Sequence, residues 1–134
     1  INKLVKHFPE CVVYTSQHGK EGLYSDKLNF SRYHGDPIIF QGKTIVVLKE
    51  GEEILLFSNV KMKAIYTPGH DWSCMSYYTD EVIFTGDSYI PNIKVITPFP
   101  KSNKTEAQVS MERILGLCKN RDVYPGHNDI LKLI

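Results

Sequence analysis

The sequence predicts an α/β (α+β) chain with a mostly antiparallel or mixed sheet and flanking helices, and three observations carry that expectation. A helical opening leads at once into a β-branched run. Short strand-like runs then crowd residues 38–85, with turn residues between them. An amphipathic helix separates that stretch from a last short strand. At 134 residues the chain has the length of one small domain, 1–134, large enough to bury a core.

Taken in order, Ile1, Leu4, Val5 and Phe8 fall at helical spacing, with no capping residue and no initiator Met before them. The chain is therefore expected to open inside a helix, with an upstream part missing. Pro9 ends that helix, and Cys11-Val12-Val13-Tyr14-Thr15 reads as a short buried strand. Ser16 can cap a short helix over 16–24, against the cost of Gly19 and Gly22. Polar and turn residues make 25–37 a surface connection, and His18 and His34, in this part of the chain, read as solvated loop histidines. Strands are expected over 38–40, 44–48, 54–57, 60–67, 74–79 and 82–85. Lys49-Glu50-Gly51-Glu52 and Thr79-Asp80-Glu81 have the composition of hairpin turns. The alternation along 60–66 predicts a wet face at its start and deeper burial toward His70. Residues 88–102, with three prolines, form a long irregular connection of the kind that is often functional. Asn103 and Glu106 resemble a capping box for a helix over 103–119, whose stripe is Ala107, Met111, Ile114, Leu115 and Cys118. Asp122-Val123-Tyr124 is the last strand, and Ile130, Leu131, Leu133 and Ile134 can start another helix.

One pattern recurs three times: an apolar run, a Gly or Pro-Gly turn, then a metal-ligand residue type. It occurs as Ile65-Tyr66-Thr67-Pro68-Gly69-His70, as Ile83-Phe84-Thr85-Gly86-Asp87 and as Val123-Tyr124-Pro125-Gly126-His127. The turn places an imidazole or carboxylate just past a strand end, where a rigid sheet holds it while it points into a crevice. Two histidines and an aspartate suit zinc or a similar divalent ion. Taken singly, His70 would be a turn histidine and Asp87 an Asx-turn residue. Asp71 is as well explained by a turn or cap, and Trp72 by packing. Tyr14, Tyr77, Tyr78 and Phe84 read as core or sheet-face residues, and Lys101 and Lys104 as a solvated loop.

Composition excludes several classes. Lys and Arg total 16 against 15 Asp and Glu, so charge gives no reason to expect nucleic acid or an anionic membrane. No apolar stretch approaches the roughly 20 residues of a membrane span. Cys11, Cys74 and Cys118 are odd in number and contain no CxxC pair, which argues against a disulfide framework and fits a reducing, cytoplasmic setting.

Together, Thr67-Pro68-Gly69-His70, Phe84-Thr85-Gly86-Asp87 and Tyr124-Pro125-Gly126-His127, in that order with a helix between the last two, resemble the metallo-β-lactamase superfamily, in its glyoxalase II-like branch. The resemblance implies an αββα sandwich with a two-metal centre at one edge of the sheets. It implies that His70 binds the first metal, that Asp87 bridges both and that His127 binds the second, with zinc as the expected ion. It implies a hydrolase acting on an ester, thioester or related bond of a small-molecule substrate, with water activated between the metals and Asp87 as the catalytic bridging carboxylate. The family's His-x-His-x-Asp-His motif is absent from this sequence, as is the usual Thr or Ser and Gly-Ser run after the first histidine, replaced by Asp71-Trp72-Ser73-Cys74. With three donors for two ions, the expectation for the isolated chain is weak or absent metal and no catalysis, as from the C-terminal part of such a protein. Two alternatives stand beside it: a non-catalytic structural fragment, and a redox relative holding a di-iron centre. Exposed sheet edges would favour a homodimer.

Overall fold

The computed structural model describes residues 1–127. The chain divides into two compact units, the first Ile1–Leu48 and the second beginning at Lys49. The segment expected to start a last helix, Ile130, Leu131, Leu133 and Ile134, lies outside the described residues.

The first unit contains helices α1 (Asn2–His7) and α2 (Gln17–Leu23), strands β1 (Val12–Thr15) and β2 (Thr44–Val47), and a short 3-10 turn at Ser31–His34. Helix α1 has fewer than two turns, too few to bury a stripe, and only Val5 of the four apolar residues expected to face inward is buried. Ser16 caps α2 as expected, its Oγ accepting from the amide of Gly19 at 2.9 Å. Strands β1 and β2 pair in parallel, Val12 opposite Thr44 through Thr15 opposite Val47. This corrects two expectations. The run at 44–48 is no arm of a hairpin with the strand after it, and β1 is half exposed on alternate residues, because it has one partner strand and one covered face. Residues 38–40 also form no strand. Their polar backbone is satisfied instead by side chains and by α2: Asn29 donates to the Ile38 carbonyl and Asn2 to that of Ile39, and the amide of Phe40 donates to Leu23. Phe40 is buried there with its ring edge-on to Tyr24.

The second unit is a five-stranded sheet in the order β3-β4-β5-β6-β7, with helix α3 (Lys104–Cys118) packed against β6. Its strands are β3 (Glu53–Phe57), β4 (Val60–Tyr66), β5 (Met75–Tyr78), β6 (Val82–Gly86) and β7 (Asp122–Pro125). Strands β3 to β6 pair antiparallel and β7 adds to β6 in parallel. The hairpin expected at Thr79-Asp80-Glu81 is present, closed by the Thr79 amide on the Val82 carbonyl at 2.9 Å. Burial deepens along β4 as its alternation predicts, from exposed Val60 to buried Ala64 and Ile65. Ala64, Ile65 and Ile83 of the sheet and Ala107 and Ile114 of α3 are among the buried apolar residues of this unit.

Asn103 caps α3, its side-chain oxygen accepting from the amides of Thr105 and Glu106 at 3.0 and 3.1 Å. The expected stripe is only partly correct. Ala107 and Ile114 are buried but Leu115 is exposed, and Ser110 takes the place between them on the covered face. Spacing explains this, because Ala107, Ser110 and Ile114 share one face at i, i+3 and i+7 while Leu115 is rotated off it. The outer strand β3 leaves Leu55 and Phe57 exposed. Among the described residues no helix is long and apolar enough to cross a membrane.

Candidate metal centre

Strand direction brings the three turns together. β4 runs against β5, β5 against β6, and β7 runs with β6, so β4, β6 and β7 point the same way. Their C-terminal ends therefore lie on one edge of the sheet, and Tyr66, Gly86 and Pro125 release the chain there into the turns that carry His70, Asp87 and His127.

The first turn is held along its backbone. Four successive carbonyls accept from four different residues: Thr67 from Ser88 Oγ at 2.8 Å, Pro68 from Ser110 Oγ at 2.6 Å, Gly69 from the Asn103 amide at 2.8 Å, and His70 from Ser102 Oγ at 2.6 Å. The strand end before them is clamped as well. Arg113 of α3 donates to the Tyr66 carbonyl at 2.8 Å and pairs with Glu50, which accepts from the Tyr66 amide at 2.6 Å. Beneath the turn, Thr67 Oγ1 and Ser76 Oγ share a buried hydrogen bond of 3.0 Å. Gly69 has φ +130°, and a Cβ there would collide with the backbone of Ala107, so a glycine lets the first turn of α3 sit directly on this loop.

The His70 side chain follows from this frame. A carbonyl oxygen can only accept, so in the 2.9 Å contact with the Ile96 carbonyl Nδ1 is the donor. Nε2 stands 3.7 Å from Asp87 Oδ2. The other carboxylate oxygen of Asp87 accepts from His127 Nδ1 at 2.7 Å. His127 is held more lightly: the Gly126 amide donates to the Gly86 carbonyl at 2.9 Å, and a Cβ at Gly126 would come within 2.5 Å of Asp87 Oδ1. The imidazole of His70 is 22% exposed and that of His127 62%. All three side chains line a cavity of about 190 Å³ whose other walls are Ile90, Ile93, Lys94, Val95 and Ile96. The long connection at 88–102 thus supplies most of the pocket.

In kind, two imidazoles and a carboxylate fit zinc or iron. In number and arrangement they fall short. Among the described residues no group of three or more His, Cys, Asp or Glu side chains is set to hold an ion, and the Asp87 to His127 hydrogen bond engages a donor atom of each. Burial pushes the Cys74 thiol up, and among the described residues it joins no group set to hold an ion. The other residues singled out from the sequence lie outside this group. His18 pairs with Glu21 at 3.3 Å, Asp71 forms an Asx turn that accepts from the Ser73 amide at 2.9 Å, and Lys101 Nζ sits 4.7 Å over the ring of Trp72. The serines at 88, 102 and 110 were not legible as site residues. Only Ser110 left a signal, a hydroxyl in the buried row of α3.

A family model described as the metallo-beta-lactamase superfamily matches residues 1–127, through both compact units. The chain belongs to the metallo-beta-lactamase superfamily. A curated relative, "Glyoxylase B2" of Dictyostelium discoideum, is 30% identical over 80 residues, which is 58% of this chain and 27% of that protein. Superfamily structures share the fold. BLEG-1, a B3 metallo-beta-lactamase, aligns with a TM-score of 0.81 at 23% identity, covering 96% of this chain and 62% of its own. TTHA1623, crystallised in a di-iron-bound form, aligns at 0.75 and 22%, covering 95% and 62%. An archaeal superfamily protein, ST1585 from Sulfolobus tokodaii, aligns at 0.72 and 24%, covering 94% and 55%. The chain thus spans under two thirds of the length of each of these relatives.

Proposed function

We propose that the protein is a metal-dependent hydrolase of the superfamily, acting on an ester, thioester or related bond, with His70, Asp87 and His127 as metal ligands. The two compact units are read as parts of one partial domain, since a single family model runs through both. The observation that carries the reading is the meeting of the three side chains at one sheet edge, at the mouth of a largely aliphatic cavity. A bound divalent pair would supply hydroxide near neutral pH and polarise the substrate carbonyl. The residues present have simpler tasks. His70 offers Nε2 from a fixed ring, Asp87 offers one oxygen toward it, and Ile90, Ile93 and Ile96 exclude water from the cavity wall. The hydrogen bond between His127 and Asp87 uses Nδ1 and Oδ1, so Nε2 and Oδ2 are the atoms left to serve an ion.

Three donors support only part of a two-metal site, so the isolated chain is proposed to bind metal weakly and to lack catalysis. The test loads the full-length protein with zinc and reads bound metal by elemental analysis beside thioester hydrolysis. His70→Ala with His127→Ala should lower metal affinity by at least ~100-fold and abolish hydrolysis, and unchanged occupancy in that double variant would sink the reading. A second reading, a redox relative with a di-iron centre, is favoured by the structural likeness to the di-iron-bound TTHA1623. Loading with ferrous iron in place of zinc separates the two, through an optical iron signature with oxygen consumption but no hydrolysis.

A further inference from the structure

We propose that the cavity beside His70 and Asp87 is an acyl pocket for a short aliphatic chain ending in a second carboxylate, with Lys94 as the residue that selects that end. The proposal rests on the reading of the protein as an ester or thioester hydrolase and names its substrate class: half-esters and half-thioesters of short aliphatic dicarboxylic acids. The walls are chemically uniform. Ile90, Ile93, Val95 and Ile96 line the cavity, and Lys94 is the one lysine or arginine among its described lining residues. Lys94 is exposed and makes no hydrogen bond or ion pair with any described residue. Other cations of this unit are occupied: Lys61 and Lys63 share Glu53, and Arg113 pairs with Glu50. The charge of Lys94 is therefore available to an anion entering the cavity. The one carboxylate in the lining, Asp87, is engaged by His127 at 2.7 Å and lies where, under the hydrolase reading, the reacting carbonyl belongs.

Size sets the chain length. A water molecule takes about 30 Å³ of liquid, so a cavity of about 190 Å³ holds about six non-hydrogen atoms. A glutaryl group has about that many beyond its scissile carbonyl, whereas a succinyl group underfills the space and longer chains extend past it. The wall is also built before any ligand arrives. Ile90-Pro91-Asn92-Ile93 is a tight turn, closed by the Ile93 amide on the Ile90 carbonyl at 3.1 Å, with Asn92 at a left-handed φ of 64°. Proline at the second place presets the backbone and Asn tolerates the left-handed third place, so both isoleucines are presented from a stiff corner. The chain before the turn is pinned by Thr85 Oγ1, which donates to the Tyr89 carbonyl at 2.6 Å, and by Ser88 Oγ on the Thr67 carbonyl. A preformed wall spares a ligand the cost of ordering it. Each methylene that leaves water for such a wall gains roughly fourfold in affinity. An ammonium meeting a carboxylate at an exposed rim adds about fivefold.

The experiment titrates glutarate and pentanoate, its methyl-ended counterpart, into the metal-free full-length protein and follows the methyl signals of Ile90, Ile93 and Ile96 by NMR. Glutarate should shift all three saturably and bind about fivefold more tightly than pentanoate. Along the series succinate, glutarate and pimelate, affinity should peak at glutarate. Lys94→Gln should erase the preference, bringing glutarate down to pentanoate, and Lys94→Arg should keep it. Ile93→Trp, which fills the cavity, should abolish the saturable shifts of Ile90 and Ile96 for both acids. If Ile93→Trp does not fold, Ile93→Ala takes its place and should weaken both acids by at least about fourfold while keeping the preference. Equal affinity for the two acids in wild type, a preference unmoved by Lys94→Gln, or no saturable shift at all overturns the proposal. These readouts need neither metal nor turnover, so the two readings fail separately. A glutarate preference that depends on Lys94, without zinc-dependent thioester hydrolysis, defeats the hydrolase reading and leaves the carboxylate-selective cavity standing. Hydrolysis without that preference keeps the hydrolase and removes the acyl pocket.

Discussion

The turn that carries His70 and the turn that carries His127 share a Pro-Gly-His sequence and an edge of one sheet, yet they are held very differently. Around His70, four consecutive carbonyls find donors from the connection after β6, from the loop before α3 and from α3 itself. Around His127 the holding bonds among the described residues are the Gly126 amide on Gly86 and the imidazole on Asp87, and that ring is nearly three times as exposed. Equal sequence motifs can therefore give unequal rigidity, because rigidity comes from what the rest of the fold places against the turn. His70 is held by several elements at once, whereas among the described residues the His127 ring leans on Asp87.

The strongest way to break that contrast is Gly69→Ala. A methyl group there meets the Ala107 backbone and demands a φ that alanine disfavours, so α3 must lift from the loop. The expected loss is about 3 kcal/mol, near the upper end for overpacking, seen as a fall in the urea midpoint. An unchanged midpoint would show that the first turn is not a rigid platform. Gly126→Ala should act more weakly, with a loss of only about 1 kcal/mol because the more open second turn can yield. Its new methyl presses on Asp87 Oδ1, so its main effect should be on metal affinity and not on thermal stability. The smallest difference separates the ligands themselves in metal-free protein. His70→Ala loses a part-buried hydrogen bond and an aromatic edge, about 1 kcal/mol. His127→Ala loses an exposed pair and should stay within about 0.5 kcal/mol of wild type in the same melt.

Much of this was legible in the sequence, and the limits have physical causes. Glycines after short apolar runs announce strand ends locally, so the positions of His70, Asp87 and His127 could be read without a structure. Pairing partners cannot be read that way. Nothing within 11–15 or 44–48 says that these strands join each other in parallel and not their neighbours in sequence. The run at 38–40 looked like a strand because its side chains are apolar, while Asn2 and Asn29, distant in sequence, satisfy its carbonyls. Hydroxyl-to-carbonyl bonds such as those of Ser88 and Ser102 follow no period, and so they stay hidden until the loops are placed. Ser110 differed, since a polar residue inside the buried row of α3 asks for a partner, and the Pro68 carbonyl is that partner.

The parallel addition of β7 to β6 also sets an order of events during synthesis. A parallel strand cannot be reached by a tight turn, and here the connection passes through the long segment and all of α3 before Asp122 pairs beside Val82. A nascent chain that has emerged only through α3 already carries His70 and Asp87, with the platform beneath them, but has no His127. The three side chains come together only when β7 has emerged and docked beside β6. Long-range closure of this kind is slow compared with hairpin formation, so the growing chain spends its early life with His70 and Asp87 in place and His127 still apart from them.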